Sequence, residues 1–260
     1  MKEQIRKKLL ETGAAAVGFC IAGEIDSAVH EDYKNWVKKG FNGEMAYLER
    51  HIPLRHSTQN VLPDTRTVIS LAYSYVPEKW RSLDLPMISV YAYGEDYHKL
   101  LRKILKPVVK EFETTYGGKW RICIDSAPVA ERFWAMKSGI GKRFINGCIG
   151  VENCGTLCFL VEILTTLEFD ADQPSNTKCK ECMECVKSCP SGALLGNGSM
   201  DAGKCINYLM IEKKSPLTST EKQLLEKKPG FILGCDICQR VCPHNRDLPP
   251  GQLFHNRYPI

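Results

Sequence analysis

The chain has 260 residues, 43% of them apolar and 25% charged, a net charge of +5 and 13 cysteines. That allows one large domain or two modest ones, leaves no stretch long enough to span a membrane, and permits contact with a polyanion without demanding it. The charged amphipathic start, residues 1–10, lacks a signal-peptide core, so the chain is expected in the reducing cytoplasm, where thiols serve metals and chemistry rather than disulfides.

In chain order, the pattern predicts a helix over 5–12 that Gly13 ends, then a buried strand over 14–21. A helix over 31–39 carries Tyr33, Trp36 and Val37 on one face and stops at Gly40. The β-branched and aromatic run 67–75 is the best strand in the chain. Residues 97–112 read as a helix with an apolar stripe of Leu100, Leu101, Ile104, Leu105 and Val108, kinked at Pro107. A short strand over 120–124 leads into a helix over 127–138 that Pro128 starts and Gly139 stops. The apolar run 157–167 fits a strand or a helix. Strands alternating with helices indicate α/β layers for this part. The turn-rich stretch 173–177 marks a boundary, giving domains 1–172 and 173–260. Within the second domain, one helix is expected over 204–212 and another from 219 to about 228.

The cysteines carry the strongest signal. One run reads Cys179-Lys-Glu-Cys182-Met-Glu-Cys185-Val-Lys-Ser-Cys189-Pro190, and a second reads Cys235-Asp-Ile-Cys238-Gln-Arg-Val-Cys242-Pro243. Two residues between thiolates let one tight turn aim three sulfurs at a single [4Fe-4S] cube, and the longer gap sends the fourth sulfur to the other cube. Zinc favours separated Cys pairs and one tetrahedral set, which suits this spacing less well. Two cubes need eight thiolates and the runs offer seven, so Cys205, between them, is the nearest candidate for the eighth. Cys179, Cys182, Cys185 and Cys242 are expected on one cluster, and Cys189, Cys205, Cys235 and Cys238 on the other. If Cys205 is only a buried thiol, the second cluster needs another ligand. The class is therefore α+β, an α/β layer domain followed by a ferredoxin-like double-cluster domain with a helical insertion. Cys20, Cys123, Cys148, Cys154 and Cys158 are expected to be small buried hydrophobes. Cys154 and Cys158 lie one turn apart if their stretch is helical.

Outside the cysteines, the run Cys123-Ile-Asp125-Ser-Ala-Pro128-Val-Ala-Glu131-Arg132 stands out. Asp125 ends a strand before a helix, where it can exchange a proton with a ligand or simply cap the helix. No Gly-x-Gly-x-x-Gly, P-loop or Asp-x-His-x-x-Gly motif occurs.

Taken together, these stretches resemble the epoxyqueuosine reductase family. The match runs through Gly40-Phe-Asn-Gly43-Glu-Met45-Ala-Tyr47-Leu48, Arg55 and Leu62-Pro63-Asp-Thr-Arg-Thr-Val-Ile-Ser70. It continues through Tyr91-Ala-Tyr-Gly94-Glu-Asp96-Tyr97-His98, the Asp125–Arg132 run, Gly155-Thr-Leu-Cys-Phe159-Leu160-Val-Glu162 and the eight assigned cysteines. The resemblance implies an N-terminal domain that binds cobalamin, two [4Fe-4S] clusters that relay electrons from a donor such as flavodoxin or ferredoxin, and reduction of the epoxide in tRNA epoxyqueuosine. It implies Asp125 as the proton donor, with Arg55, Tyr97, His98 and Asn146 near the corrinoid. Where the family reads Gly-Trp-Ile-Gly-Lys-Asn, this chain has Gly141-Lys142-Arg143-Phe144-Ile145-Asn146, so Ile145 replaces the lysine. Longer members add a helical-repeat domain suited to gripping tRNA, and weaker tRNA binding is expected without it. A corrinoid reductase acting on a small molecule and a plain electron carrier remain as rivals.

Overall fold

β-Branched and aromatic residues over Thr67–Ser74 build the central strand, buried along nearly its whole length. The computed structural model describes residues 1–227 and 230–253. Chain order is α1 (Lys2–Leu10), β1 (Ala16–Ile21), α2 (Ser27–Lys38), α3 (Ala46–Arg50), α4 (Ile52–His56), β2 (Thr67–Ser74), β3 (Met87–Ile88), α5 (Tyr97–Tyr116), β4 (Trp120–Cys123), α6 (Glu131–Lys137), β5 (Gly141–Arg143), β6 (Ile149–Val151) and β7 (Cys158–Thr165). The cysteine-rich part adds α7 (Glu184–Lys187), α8 (Ser219–Glu226), β8 (Phe231–Leu233) and α9 (Ile237–Arg240).

Four strands form one sheet in the order β1-β2-β7-β4, and every neighbouring pair is antiparallel. The α+β class holds, and helices cover both faces of the sheet as the layer reading expects, with α1 and α5 on one side and α6 on the other. Helices lie between the strands without acting as crossovers between parallel neighbours, so the ligand rule for parallel sheets does not locate a site here. The apolar run at 157–167 is strand β7, so Cys158 opens a strand and no helix aligns it with Cys154.

Alternation along the strands sorts two faces. Ile69, Leu71, Tyr73, Val161 and Ile163 share a core with Ile5 and Leu9 of α1 and with Leu101 and Leu105 of α5. Val68 and Leu164 face the other way, against Phe133 and Trp134 of α6. The end of α6 sits close to β1 because residue 18 is glycine: a Cβ there would overlap the Ser138 carbonyl.

Three local expectations need correction. The helix expected over 127–138 begins only at Glu131, because Pro128 keeps Ala127 out of helical backbone. Helix α5 runs unbroken through Pro107, which lies on its exposed side where the freed carbonyl can meet water. The single helix expected over 204–212 is instead a 3-10 turn, Ala202–Lys204, an extended Cys205, and a π-helical stretch, Tyr208–Glu212. Helix α8 opens on a capping box between Thr218 and Glu221; its expected end near Lys228 lies outside the described residues. Among those residues no helix is long and apolar enough to cross a membrane.

Paired polar groups brace the cysteine-rich segment internally and tie it to the sheet domain. Asn207 bonds both the carbonyl and the amide of Cys235, each at 2.9 Å. Asp236 accepts from the Val90 amide at 3.0 Å. Asn245 accepts from the Thr156 amide at 2.7 Å. Glu44 accepts from the amides of Lys214 at 2.9 Å and Ser215 at 3.0 Å.

At the sheet edge, Asp172 gathers Lys2 Nζ at 2.7 Å, Arg6 Nη2 at 2.9 Å and the Phe19 amide at 2.8 Å. Burial alone would raise its carboxyl, but these donors hold it below the usual range. Asp172→Ala is expected to cost about 1–3 kcal/mol, since it leaves a part-buried amide and a guanidinium without their acceptor. Urea unfolding at neutral pH measures this, and the gap between the two proteins should close as pH falls through the carboxyl's lowered pKa.

Candidate functional site

Strand β4 delivers the chain to Ile124, which is fully buried, and then to Asp125, whose φ of +49° is left-handed. Aspartate is among the few non-glycine residues that tolerate this region, and its use here turns the side chain outward. The Asp125 amide donates to Glu131 Oε1 at 2.8 Å. Its carboxylate stands 59% exposed, with Oδ2 3.1 Å from His98 Nε2. The other ring nitrogen, Nδ1, lies 3.0 Å from Asp96 Oδ1, and Asp96 also caps α5 by accepting the His98 amide at 3.0 Å. The helix-cap alternative for Asp125 falls away, because α6 is preceded by Ala130 and has no side-chain cap. A ring between two carboxyl groups can donate to both only as imidazolium; as a neutral ring it donates to one and accepts from the other, which must then be protonated.

Aromatic groups wall this acid. Tyr97 stacks on Phe159 at 4.0 Å and on His98 at 4.0 Å. Burial and then the Asp125 charge raise the Tyr97 phenol strongly, and the same two causes lead for Tyr91. For Tyr47, burial leads, followed by Glu212 and Asp125.

Beneath the loop lie two further carboxyls. Burial and the nearby Asp125 charge push Glu131 up to about 7, against the pull of Arg55 and Arg132. Glu162 is fully buried on β7, and neither of its oxygens has a hydrogen-bond partner among the described residues. Burial, then Glu131, drives its pKa well above the ordinary value. Strand register explains the placement: Gly18, Ser70, Glu162 and Cys123 form one row across the sheet. Residues opposite one another share a face, here the α6 face.

The cysteines gather in two sets. Cys179, Cys182, Cys185 and Cys242 line one small cavity. Cys238 is raised by burial and then by the charges of Cys148, Cys235, Cys205 and Cys189, which marks these thiols as close neighbours. Backbone amides point at several sulfurs: Val186 at Cys185, Asn207 and Tyr208 at Cys205, and Ile237 at Cys235. Left-handed Glu181 and Met183, with φ of 52° and 64°, bend the first run into its turn. Among the described residues no three metal-binding side chains close on a single ion. Quartets spread around a cavity suit a four-iron cube, which is larger than one ion. Cys148 is raised by burial and feels Arg132, Cys205 and Cys185, so it stands beside both sets.

Of the other expected site residues, Arg55 lies on α4 with its guanidinium 5.9 Å from the Tyr33 ring centroid and a buried Nε that has no partner among the described residues. Asn146 lines the first cysteine cavity, where its Oδ1 accepts from the Cys148 amide at 3.1 Å and its buried Nδ2 has no described partner. A cleft of about 720 Å³ runs between the start of β1 and residues 174–178 and shares no lining residue with the surroundings of Asp125. Sequence reasoning missed Asp96, Glu131, Glu162 and Cys148. A glutamate inside the apolar run Phe159-Leu-Val-Glu162-Ile-Leu was a signal available in advance.

The chain is similar to known proteins over most of its length. Residues 55–126 match the family model described as Epoxyqueuosine reductase QueG, DUF1730, and residues 178–245 match the 4Fe-4S double cluster binding domain. An epoxyqueuosine reductase of Cyclobacterium marinum is 34% identical over 251 residues, covering 94% of this chain and 80% of that protein. The solved epoxyqueuosine reductase of Streptococcus thermophilus superposes with a TM-score of 0.81 at 27% identity, covering 96% of this chain and 67% of that one. A further epoxyqueuosine reductase, solved with a tRNA-Tyr epoxyqueuosine-modified stem loop, superposes with a TM-score of 0.82 at 24% identity, covering 95% of this chain and 66% of that one.

The buried acids set a pH signature. Because Glu131 titrates near 7 when folded and near 4.5 when unfolded, its share of stability is full below about pH 4.5 and is lost as pH rises through about 7. Each unit of that separation is worth about 1.4 kcal/mol. Glu162→Gln removes the carboxyl that burial raises well above its ordinary value, so its melting temperature should fall less than wild type between about pH 5.5 and about pH 8. Identical pH profiles in thermal melts would show that Glu162 titrates no higher in the folded protein than in the unfolded chain.

Proposed function

We propose that this chain, which belongs to the epoxyqueuosine reductase family, reduces the epoxide of epoxyqueuosine in tRNA to queuosine, using two [4Fe-4S] clusters and cobalamin. One observation carries the reading: Arg132 lies close enough to bias both Glu131, under the exposed Asp125, and Cys148, beside the thiols. An acid site and a redox site therefore adjoin.

Cys179, Cys182, Cys185 and Cys242 hold one cluster, and Cys189, Cys205, Cys235 and Cys238 hold the other. The two neighbour sets support this, as does the amide-to-sulfur bonding. A division after residue 172 is supported by family matches that fall on either side of it. Cobalamin would bind at the acid face, where the stacked rings of His98, Tyr97 and Phe159 offer an aromatic surface to a flat ring. Arg55 Nε and Asn146 Nδ2 are buried donors whose partners the ring's amide side chains could provide. When bound, cobalamin would supply a strongly reducing cobalt centre, fed one electron at a time through the clusters by an external donor.

The reaction takes up two electrons and two protons, forms a carbon–carbon double bond and releases water. Asp125 Oδ2 delivers a proton to the departing oxygen. His98 Nε2 returns a proton to Asp125, and Asp96 keeps the imidazole in line. Glu131 holds the Asp125 amide, so the acid stays outward in its left-handed turn. Such general acid help is worth roughly 100- to 10,000-fold.

Asp125→Asn is expected to keep both clusters and bound corrinoid by absorbance, and to lose turnover by roughly that factor. Full activity would remove the proton-donor role. Cys205→Ala should lower iron by about four atoms per chain, one cube's worth. Unchanged iron and an unchanged spectrum would assign the eighth ligand to another residue, and Cys148 is the nearest thiol.

A further inference from the structure

Helix α5 begins at the acid site and carries a ridge of positive charge away from it. Lys99, Arg102, Lys103, Lys106 and Lys110 are all exposed on this helix. At about 100° per residue they fall within about 100° of one another, opposite the buried Leu101, Leu105 and Phe112. His98, Arg102, Lys106 and Lys110 follow at four-residue steps, so each side chain stands over the next, about 6 Å further along the axis. His98 is the ring that touches Asp125.

Surface charges of this kind are commonly neutralised by neighbours. Lys110 pairs with Glu113 at 3.3 Å, and Lys99 lies near Asp96. Arg102, Lys103 and Lys106 make no ion pair among the described residues, and neither does Lys99. The ridge thus leaves uncompensated charge over about 10 Å of helix, leading out from the reacting centre.

We propose that this face of α5 is the contact for the phosphate backbone of the RNA strand that carries the reacting nucleotide. The inference rests on the tRNA reading above and names the surface that reading needs. A base held against Asp125 continues into a polyanionic chain, and α5 offers that chain a cationic track in register with the acid. Lysine and arginine there position phosphates and carry no base-specific information, so the track fixes orientation and adds affinity that salt weakens.

The test uses the holo protein with epoxyqueuosine-tRNA and, separately, the free epoxyqueuosine nucleoside. A variant with Lys99→Gln, Arg102→Gln, Lys103→Gln and Lys106→Gln should raise KM for the tRNA roughly 10- to 100-fold and leave kcat unchanged. The slope of log KM against log salt should flatten by about 3, near 0.7–0.9 for each charge removed. Turnover of the nucleoside should not change, which also shows that the variant is folded. If wild type turns over tRNA and the variant keeps the same KM and salt slope, the ridge inference fails while the functional reading stands. If KM for an acidic electron donor rises instead, the ridge belongs to the donor and the inference is again overturned. If wild type with both clusters and cobalamin reduces neither substrate, the functional reading itself fails.

Discussion

The hydrogen bond from the Asp125 amide to the Glu131 carboxylate, 2.8 Å long, fixes the geometry around which the candidate site is arranged. It closes a six-residue loop at the end of β4 and holds a left-handed aspartate that would otherwise relax. Pro128 delays α6 until Glu131, and that delay puts the Glu131 side chain back under the loop it follows. One residue type and one spacing thus serve both as helix start and as loop clamp. The cost is a carboxylate removed from water, offset in part by Arg55 and Arg132.

That cost is compounded by Glu162, and the sheet explains why it persists. An antiparallel register places Ser70, Glu162 and Cys123 side by side on the face that α6 covers. A leucine at 162 would pack there at no electrostatic penalty. A glutamate instead keeps a titratable group next to Glu131, so the proton on one depends on the charge of the other. Buried, coupled carboxyls below an exposed acid are the arrangement by which proteins move carboxyl pKa values toward neutrality.

Much of this was legible in the sequence, for reasons that can be named. The cysteine spacing is a local constraint on a single turn, so both runs and the role of Cys205 as nearest candidate could be read without a fold. The run 67–75 was readable as a strand because β-branched and aromatic residues fit a pleated, covered surface. Strand direction was not readable, since it depends on which distant runs pair. Glu131 lay within the motif already singled out, yet its role needs the loop to fold back by six residues. Cys148 was read as an ordinary thiol because its neighbours, Cys205 and Cys185, are far along the chain. The break at Cys205 escaped notice because 204–212 has helical composition; the extended residue appears only once Asn207 is drawn to both backbone groups of Cys235.

Any reduction that also releases water must bring electrons and protons to one point, and the two species need opposite surroundings. Protons move along hydrogen-bonding side chains open to solvent, as Asp125 and His98 are. Electrons are best held on groups drawn away from water, as the half-buried Cys238 and Cys148 are. The chain sets these environments on either side of α6 and its following turn, with Arg132 as the shared charge. A guanidinium cannot lose its proton under ordinary conditions, so it stabilises negative charge on either side without taking part in the proton traffic. A fixed cation there, rather than a histidine or lysine, would keep the proposed proton route on the Asp125 side alone.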